Sequence, residues 1–164
     1  MKRSACWASF VLLSFATPLL AQNMGPACTL MGALDLKPLL GSDHGTPAPY
    51  ADTGCMVKSK TPGRLLILWV TEKSPEELKK SMVAMKQELS APEYAKVGTL
   101  AAVPELGPEA FSAREKGEQS AAEIYARKGG RGIHLALNWS NGKITEPIFK
   151  QLRELAVLVL AKLP

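Results

Sequence analysis

The chain has 164 residues, of which 46% are hydrophobic, and a formal net charge of +5 at pH 7. This length supports one domain with a real hydrophobic core and requires no second domain. The charge is only mildly basic, and no run of Lys and Arg with interleaved aromatic residues marks a nucleic-acid surface. A nucleic-acid partner is therefore not expected.

The amino terminus has the three parts of an export signal in the right order. Lys2 and Arg3 form a basic start, residues 5–15 form an apolar run, and Ala21 ends a segment suited to cleavage. We expect cleavage after Ala21, so that residues 1–21 are a signal peptide and residues 22–164 are a single exported domain, periplasmic or secreted. Loss of the two cations lowers the formal net charge to +3.

Two alternatives to a cleaved signal peptide stay open. One is a retained membrane anchor, although the apolar stretch is broken at Pro18 and falls short of the roughly 20 residues that span a bilayer. The other is lipidation of Cys28, although Cys28 follows Gly25-Pro26-Ala27 where a lipobox has a leucine. We expect no membrane span in the mature chain.

Export also bears on the cysteines. The mature chain keeps Cys28 and Cys55, because Cys6 leaves with the signal peptide. Exported thiols oxidise, so a disulfide between these two residues is expected, and closing a loop of about 28 residues would stabilise the fold by roughly 3–4 kcal/mol. A redox or metal pair would need closer spacing or further ligands, and His44 and His134 lie in unlike contexts. We expect no metal site.

The first half of the mature chain predicts a broken helix and then a loop. Residues 22–27 are expected to be a flexible lead, and residues 28–41 have helical spacing that ends at Gly41. Pro38 prevents one long helix through this segment. The turn formers of residues 42–49 predict a loop.

A hairpin follows this loop. Residues 52–60 are expected to pair with residues 64–71 around a type II turn, in which Pro62 and Gly63 occupy the second and third positions. The second strand is apolar on both faces, which predicts a central position in the sheet.

Two amphipathic helices are predicted, over residues 74–90 and 145–163. The first begins with a capping box at Ser74-Pro75-Glu76-Glu77 and continues with an apolar stripe of Leu78, Met82, Met85 and Leu89. We interpret both methionines as core residues and not as ligands. The second helix is expected to bury Ile148, Leu152, Leu155, Val159 and Leu163. Its charges recur at each turn, which favours docking on a sheet with the solvent side carrying Lys150, Arg153 and Lys162.

A second hairpin is predicted around a two-residue turn at Gly129-Gly130, with Lys128 opposite Arg131 and Tyr125 opposite His134. This register sorts the side chains by polarity. One face carries Ile124, Ile133, Leu135, Leu137 and Trp139. The other face carries the candidate ligand-binding residues Glu123, Tyr125, Arg127, His134 and Asn138.

Two segments carry a resemblance to a known group of proteins. Residues 103–111 read Val-Pro-Glu-Leu-Gly-Pro-Glu-Ala-Phe, and residues 122–131 read Ala-Glu-Ile-Tyr-Ala-Arg-Lys-Gly-Gly-Arg. They resemble the pattern V-P-G-L-G-D-E-A-aromatic followed by L-Y-V-R-K-G in small exported bacterial domains of unknown function. These are secreted proteins and lipoproteins, and they are similar to extracytoplasmic sensor domains of receptor-like Ser/Thr kinases. The chain departs from the pattern at Glu105 and Pro108, where the pattern has Gly and Asp.

The resemblance extends over most of the mature chain, because Cys28 and Cys55 occupy places where that group often has cysteines. It implies an α+β fold with an antiparallel sheet and no established catalytic residues. The residues themselves point the same way, since the sequence has no G-x-S-x-G elbow, no H-E-x-x-H motif and no cysteine near a plausible histidine base. We assign no catalytic residue and no cofactor.

These observations predict an α+β domain with an antiparallel sheet of four or five strands from two hairpins, and with both long helices packed on one face. The expected function is an exported, non-catalytic binding or sensor-like module for a small molecule or an envelope protein. The polar face is also what the solvated side of a two-layer fold would carry. The alternatives are an extracytoplasmic hydrolase with a site assembled from distant residues, and an envelope inhibitor or structural protein.

Cleavage after Ala21 is open to direct measurement. When the whole chain is exported from a bacterial host, amino-terminal sequencing and intact mass should show a mature protein that begins at Gln22. An Ala21→Arg variant is the control and should stay uncleaved, because signal peptidase sites require small residues. An exported chain that begins at Met1, or one that carries lipid on Cys28, would contradict this prediction.

Overall fold

A computed structural model describes residues 25–60, 63–80, 100–114 and 120–163. Within these ranges the chain forms helices α1 (Pro26–Gly32), α2 (Lys37–Leu40), α3 (residues 75–80) and α4 (Glu146–Lys162). The strands are β1 (Ala48–Tyr50), β2 (Gly54–Lys58), β3 (Arg64–Thr71), β4 (Ala101–Ala102), β5 (Phe111–Arg114), β6 (Ala121–Lys128) and β7 (Arg131–Trp139).

All the described strands join one antiparallel sheet in the order β1-β2-β3-β7-β6-β5-β4. The α+β class is confirmed, and so is the interior position of β3, which lies between β2 and β7. The expected number of four or five strands is wrong, because β1, β4 and β5 extend the sheet beyond the two predicted hairpins.

Two of these additional strands, β1 and β4, have only three and two residues, and the sequence pattern does not reveal them. β1 includes Ala48 and Pro49, which corrects the prediction of a loop over residues 42–49. Proline lacks a backbone N–H, and it is tolerated here because β1 is an edge strand with one free side.

The hairpin of β6 and β7 has the predicted register. Lys128 lies opposite Arg131 and Tyr125 lies opposite His134. Gly129 has a φ of 61°, and Gly130 is not in the positive-φ region. This combination fits a type II′ turn, which glycine enables at its first central position.

The predicted hairpin of β2 and β3 also forms, with Met56 opposite Ile67. The predicted type of the turn depends on residues 61–62, which lie outside the described residues. Gly63 has a φ of 78°, the positive value that the third position of a type II turn requires.

The aliphatic face of the sheet, defined by Ile124, Ile133, Leu135 and Leu137, packs against α1, α2 and α4. In α4, Leu152, Leu155 and Val159 are buried as predicted, and Leu163 just beyond it is buried too. The buried stripe is wider than the prediction, since it also includes Phe149, Ala156 and Leu160.

Arg153 of α4 is half-buried, which corrects its predicted position in solvent. Its guanidinium lies 3.2 Å from a carboxylate oxygen of Glu105 and 3.2 Å from one of Glu146. It also lies 5.2 Å from the ring centroid of Phe149. The charge therefore stays near the protein surface while the stem of the side chain covers apolar surface.

The predicted break in the amino-terminal helix is confirmed, because α1 ends at Gly32 and Pro38 lies in the first turn of α2. α1 begins at Pro26, so residues 26–27 are helical and not part of a flexible lead. The predicted disulfide is also confirmed. It joins Cys28 of α1 to Cys55 of β2 across a Cα–Cα distance of 4.9 Å, and both residues are buried.

The predicted capping box forms at the start of α3. The backbone N–H of Ser74 donates to the Glu77 carboxylate at 2.7 Å, and the backbone N–H of Glu77 donates to Oγ of Ser74 at 3.2 Å. The hydrogen bond from Ser74 holds the pKa of Glu77 below its ordinary value. The continuation of this helix to residue 90, including Met82 and Met85, lies outside the described residues.

The expectation that this helix packs beside α4 is wrong for its described start. Nζ of Lys79 lies 5.2 Å from the ring centroid of Phe111, and the carbonyl of Lys73 accepts a hydrogen bond from Tyr125. Phe111 and Tyr125 lie opposite each other on the face away from α4. Both rings are buried, so this second face also contains apolar surface that needs cover.

In the described ranges, no helix combines the length and the apolar composition that crossing a membrane requires.

Reduction of the Cys28–Cys55 disulfide should lower the free energy of unfolding by about 3–4 kcal/mol, because it releases a loop of about 28 residues in the unfolded chain. Urea unfolding with and without a thiol reductant measures this difference. A Cys28→Ala/Cys55→Ala variant is the matched control, and the reductant should leave its unfolding midpoint unchanged. Equal stabilities for oxidised and reduced wild-type protein would contradict the prediction.

Candidate binding site

The polar residues singled out in the sequence lie together on the face of the sheet opposite α4. β6 contributes Glu123, Tyr125 and Arg127, and β7 contributes His134 and Asn138. The alternation of a β-strand places them there, because residues two apart point to the same side. We call this side the aromatic face, since Trp69, Phe111 and Tyr125 also lie on it.

Rings from five strands form a row across the aromatic face. The ring centroids of Tyr50 and Trp69 are 5.8 Å apart in an edge-to-face arrangement. The Trp69 ring stacks on the His134 ring with a centroid distance of 4.8 Å and an interplanar angle of 19°. Tyr125 lies opposite His134, and its ring centroid is 5.1 Å from that of Phe111. Such ring pairs add about 0.5–1.5 kcal/mol each beyond the area that they bury. The row therefore stiffens the centre of this face.

Sequence reasoning missed Tyr50, Trp69 and Phe111 as members of this surface. They belong to it through the pairing of β3 with β7, of β1 with β2 and of β5 with β6. The signal that the sequence offered for these three positions was their aromatic character. Local periodicity could not place them beside His134, because it carries no information on which strands become neighbours.

Glu123 and His134 form a side-chain contact that joins β6 to β7 on this face. Nε2 of His134 lies 2.8 Å from Oε2 of Glu123, and the side chains are 23% and 37% exposed. A carboxylate at Nε2 holds the ring proton on that nitrogen, so Nδ1 of the neutral ring is an acceptor. The pair thus presents a carboxylate and an oriented imidazole to solvent.

Two of the candidate residues are occupied by contacts within the domain. Tyr125 is only 2% exposed, and its hydroxyl donates to the carbonyl of Lys73 at 3.0 Å. A Cβ on Gly132 would lie 2.8 Å from that hydroxyl, so the ring needs the glycine beneath it. Arg127 donates to the carbonyls of Gly129 and Gly130 at 3.2 and 3.3 Å and braces its own hairpin turn.

Asn138 is exposed and lies near the other end of β7. It borders an open cleft of about 510 Å³ beside the ends of β2, β3 and β7. The described residues that line this cleft are Lys58, Ser59, Gly63, Arg64, Leu65, Ser120, Asn138, Trp139 and Ser140. The structure therefore separates the candidate residues into a central pair, Glu123 and His134, and an outlying amide.

Comparisons of the chain with protein-family models, with curated proteins and with solved structures gave no match. Among the residues that the structure describes, no three His, Cys, Asp or Glu side chains are grouped so that they could hold a metal ion. The function must therefore be argued from the geometry of the side chains.

A Tyr125→Phe variant should lose about 1 kcal/mol of stability at neutral pH, because the hydrogen bond from the hydroxyl of the buried Tyr125 to the carbonyl of Lys73 is lost. Tyr50→Phe is the matched control. Tyr50 is 39% exposed, so its variant should stay within about 0.5 kcal/mol of wild type. Urea unfolding at pH 7 measures both changes, and equal losses in the two variants would contradict the structural role of Tyr125.

The same pair of variants tests pH dependence. Burial raises the pKa of Tyr125; Arg127 opposes this rise, and Glu109 and Glu77 add to it. The unfolded chain then releases the phenol proton at a lower pH than the folded chain. The stability associated with the neutral phenol is therefore complete below about pH 10 and is lost as pH rises through the folded pKa. Unfolding measured from pH 8 to 11 should show wild type losing more stability than Tyr125→Phe.

Proposed function

We propose that this chain is an exported, non-catalytic binding module and that the aromatic face binds a small polar molecule or a polar segment of an envelope protein. The observation that carries the proposal is the Glu123–His134 pair, held at 2.8 Å and half-exposed beside the Trp69 ring. A carboxylate, an imidazole and an indole edge can together bind a partner that has both polar groups and an apolar surface.

The rigidity of this arrangement supports binding. Both side chains project from strands near the middle of the sheet, and the Trp69 ring fixes one side of the imidazole. Groups that are already ordered lose little conformational entropy when a partner arrives. Tyr125 and Arg127 add to this support by holding the face and its hairpin turn in place.

Export rests on two supporting features. Residues 1–21 have the pattern of a signal peptide, and the Cys28–Cys55 disulfide fits a compartment where thiols oxidise. The resemblance of residues 103–111 and 122–131 to small exported bacterial domains belongs to the same proposal. In this proposal, a sensor-like module would respond to the binding of a ligand at the aromatic face.

An extracytoplasmic hydrolase is the second candidate, and the Glu123–His134 pair favours it. In catalytic triads a carboxylate orients the imidazole, and the imidazole acts as the general base. In such an enzyme Nδ1 of His134 would activate a water molecule. The two candidates differ in what they require, because binding needs both side chains as recognition groups and hydrolysis needs the imidazole as a base.

A thermal-shift screen of the mature chain tests the binding proposal. The probes are amino sugars, amino acids and short peptides at neutral pH. A ligand at about 100 times its Kd adds about 2.7 kcal/mol, which raises Tm by roughly 5–10 °C for a domain of this size. Glu123→Gln and His134→Asn should each remove the shift while the free variants keep their own Tm within a few degrees.

The matched control is Glu154→Gln, which removes an exposed carboxylate from α4 on the far side of the domain. It should keep the full shift. Ligand binding that survives in folded Glu123→Gln and His134→Asn proteins would overturn the site. Turnover of p-nitrophenyl esters that disappears in His134→Asn would instead favour the hydrolase.

A further inference from the structure

The Glu123 carboxylate has no cationic side chain of lysine or arginine beside it. Its Oε2 accepts a hydrogen bond from Nε2 of His134 at 2.8 Å. Within the described ranges, no lysine or arginine forms an ion pair with Glu123. While the imidazole is neutral, the two side chains together carry one negative charge. That charge is half-exposed to solvent, so a ligand can reach it.

The strand register separates Glu123 from the cations of the same face. Ala113 of β5 and Ala136 of β7 lie opposite Glu123, and neither carries a charge. The guanidinium of Arg127 is turned to the carbonyls of its own hairpin turn. Lys58 lies on β2, three strands away in the sheet, which is about 14 Å at the usual strand spacing. The carboxylate therefore keeps a charge that a cationic ligand can compensate.

Apolar surface adjoins this anionic pair on one side. The Trp69 ring stacks on His134, and the exposed Tyr50 ring lies against Trp69. Gly54 leaves room for the indole, because a Cβ there would lie 2.8 Å from Nε1 of Trp69. Aliphatic stems of charged side chains pack on such surfaces while their charged ends stay in water. A ligand with a cationic head and a short stem fits both features.

We infer that the aromatic face binds a primary ammonium group on an aliphatic stem, such as a lysine side chain, and that protonation of His134 releases it. This inference rests on the proposed function, and it names the ligand class and the regulation of the same site. The ammonium donates to the Glu123 carboxylate, and the stem lies against Trp69. Protonation turns the hydrogen bond between His134 and Glu123 into an internal ion pair, so the attraction for a cation is lost.

Histidine is the side chain that ordinarily changes its charge between about pH 5 and pH 8. The sequence has two histidines, and His44 lies apart from this face, with Nδ1 at the carbonyl of Gly45. β3 faces His134 with Trp69 and has no titratable side chain on this face. The titratable or charged side chains that share this face with His134 on β6 and β1 are Glu123, Tyr125, Arg127 and Tyr50.

The remaining elements leave the charge of the site to this pair. The segment of residues 72–80 approaches the aromatic face at Tyr125 and Phe111, and Glu109 also acts on Tyr125. α1, α2 and α4 pack on the aliphatic face. The segment of residues 72–80 has three acids and three bases and thus no net charge: Glu72, Glu76, Glu77, Lys73, Lys79 and Lys80.

Isothermal titration calorimetry with the mature chain tests the ligand class. The probe is Nα-acetyl-lysine methylamide at pH 7.5 and an ionic strength of about 0.1 M, and we expect a Kd of roughly 1 mM or lower. The Nε-acetylated form of the probe has the same stem without the charge, and it should bind at least about tenfold more weakly. Glu123→Gln should weaken binding of the charged probe by a similar factor, whereas Glu154→Gln should leave its Kd within about twofold of wild type.

The release by protonation is tested with the same charged probe. Its Kd should rise about tenfold from pH 8 to pH 5.5, a range in which carboxylates and the lysine ammonium ordinarily keep their charge. His44→Gln is the matched control and should keep the full rise. His134→Gln should bind more weakly and without pH dependence, because an amide does not titrate. If its binding is too weak to measure, the rise in His44→Gln still assigns the effect to His134, the one histidine left in that variant.

Two further probes distinguish the sources of the ammonium group. Tighter binding of acetyl-Gly-Lys-Gly-amide than of cadaverine would support the site and assign it to a basic protein segment. Binding of cadaverine that is equal or tighter would support it for a free amine.

Equal binding of the charged and acetylated probes, or a Kd that does not rise at low pH, would overturn the inference. So would loss of the rise in His44→Gln, or its persistence in His134→Gln. A neutral ligand that raises Tm through Glu123 and His134 while the charged probe fails to bind would overturn the inference and keep the proposed function. Absence of binding by every probe and every ligand of the thermal-shift screen would overturn both.

Discussion

Antiparallel pairing of β3 with β7 is the constraint on which the rest of the structure depends. It joins the two hairpins into one sheet over eight residue pairs. On the aliphatic face it places Leu66 beside Leu137, so that one continuous apolar surface meets α1, α2 and α4. On the aromatic face it places Trp69 beside His134 and creates the stacked pair at the proposed site.

The same pairing divides the tasks of the domain between its two sides. The aliphatic face and the Cys28–Cys55 disulfide provide the buried core. On the aromatic face Glu123 and His134 are half-exposed. They need not be buried, because packing on the other face holds their strands in place. At the end of the same strands Arg64 lies beside Trp139 on the aliphatic face. The proposed site on the aromatic face thus rests on a backbone that packing on the other face keeps rigid.

Much of this architecture could be predicted where local rules are strict. The Gly129-Gly130 turn sets the register of β6 and β7, because a two-residue turn leaves one way to oppose the strands. The capping box at Ser74 was predicted from four consecutive residues. The disulfide was predicted because Cys28 and Cys55 are the two cysteines that the mature chain keeps. β1 and β4 could not be predicted in this way, since two or three residues are too few to show a period.

The sequence by itself determined which side chains share a face of each strand, because alternation along a strand depends only on the backbone. Glu123 and His134 therefore belong to one face before any contact is known. Tertiary structure alone decided that Trp69 stacks on His134 and that α3 starts on the aromatic face. Strand neighbours and helix placement depend on burying apolar surface from distant parts of the chain, which no local pattern encodes.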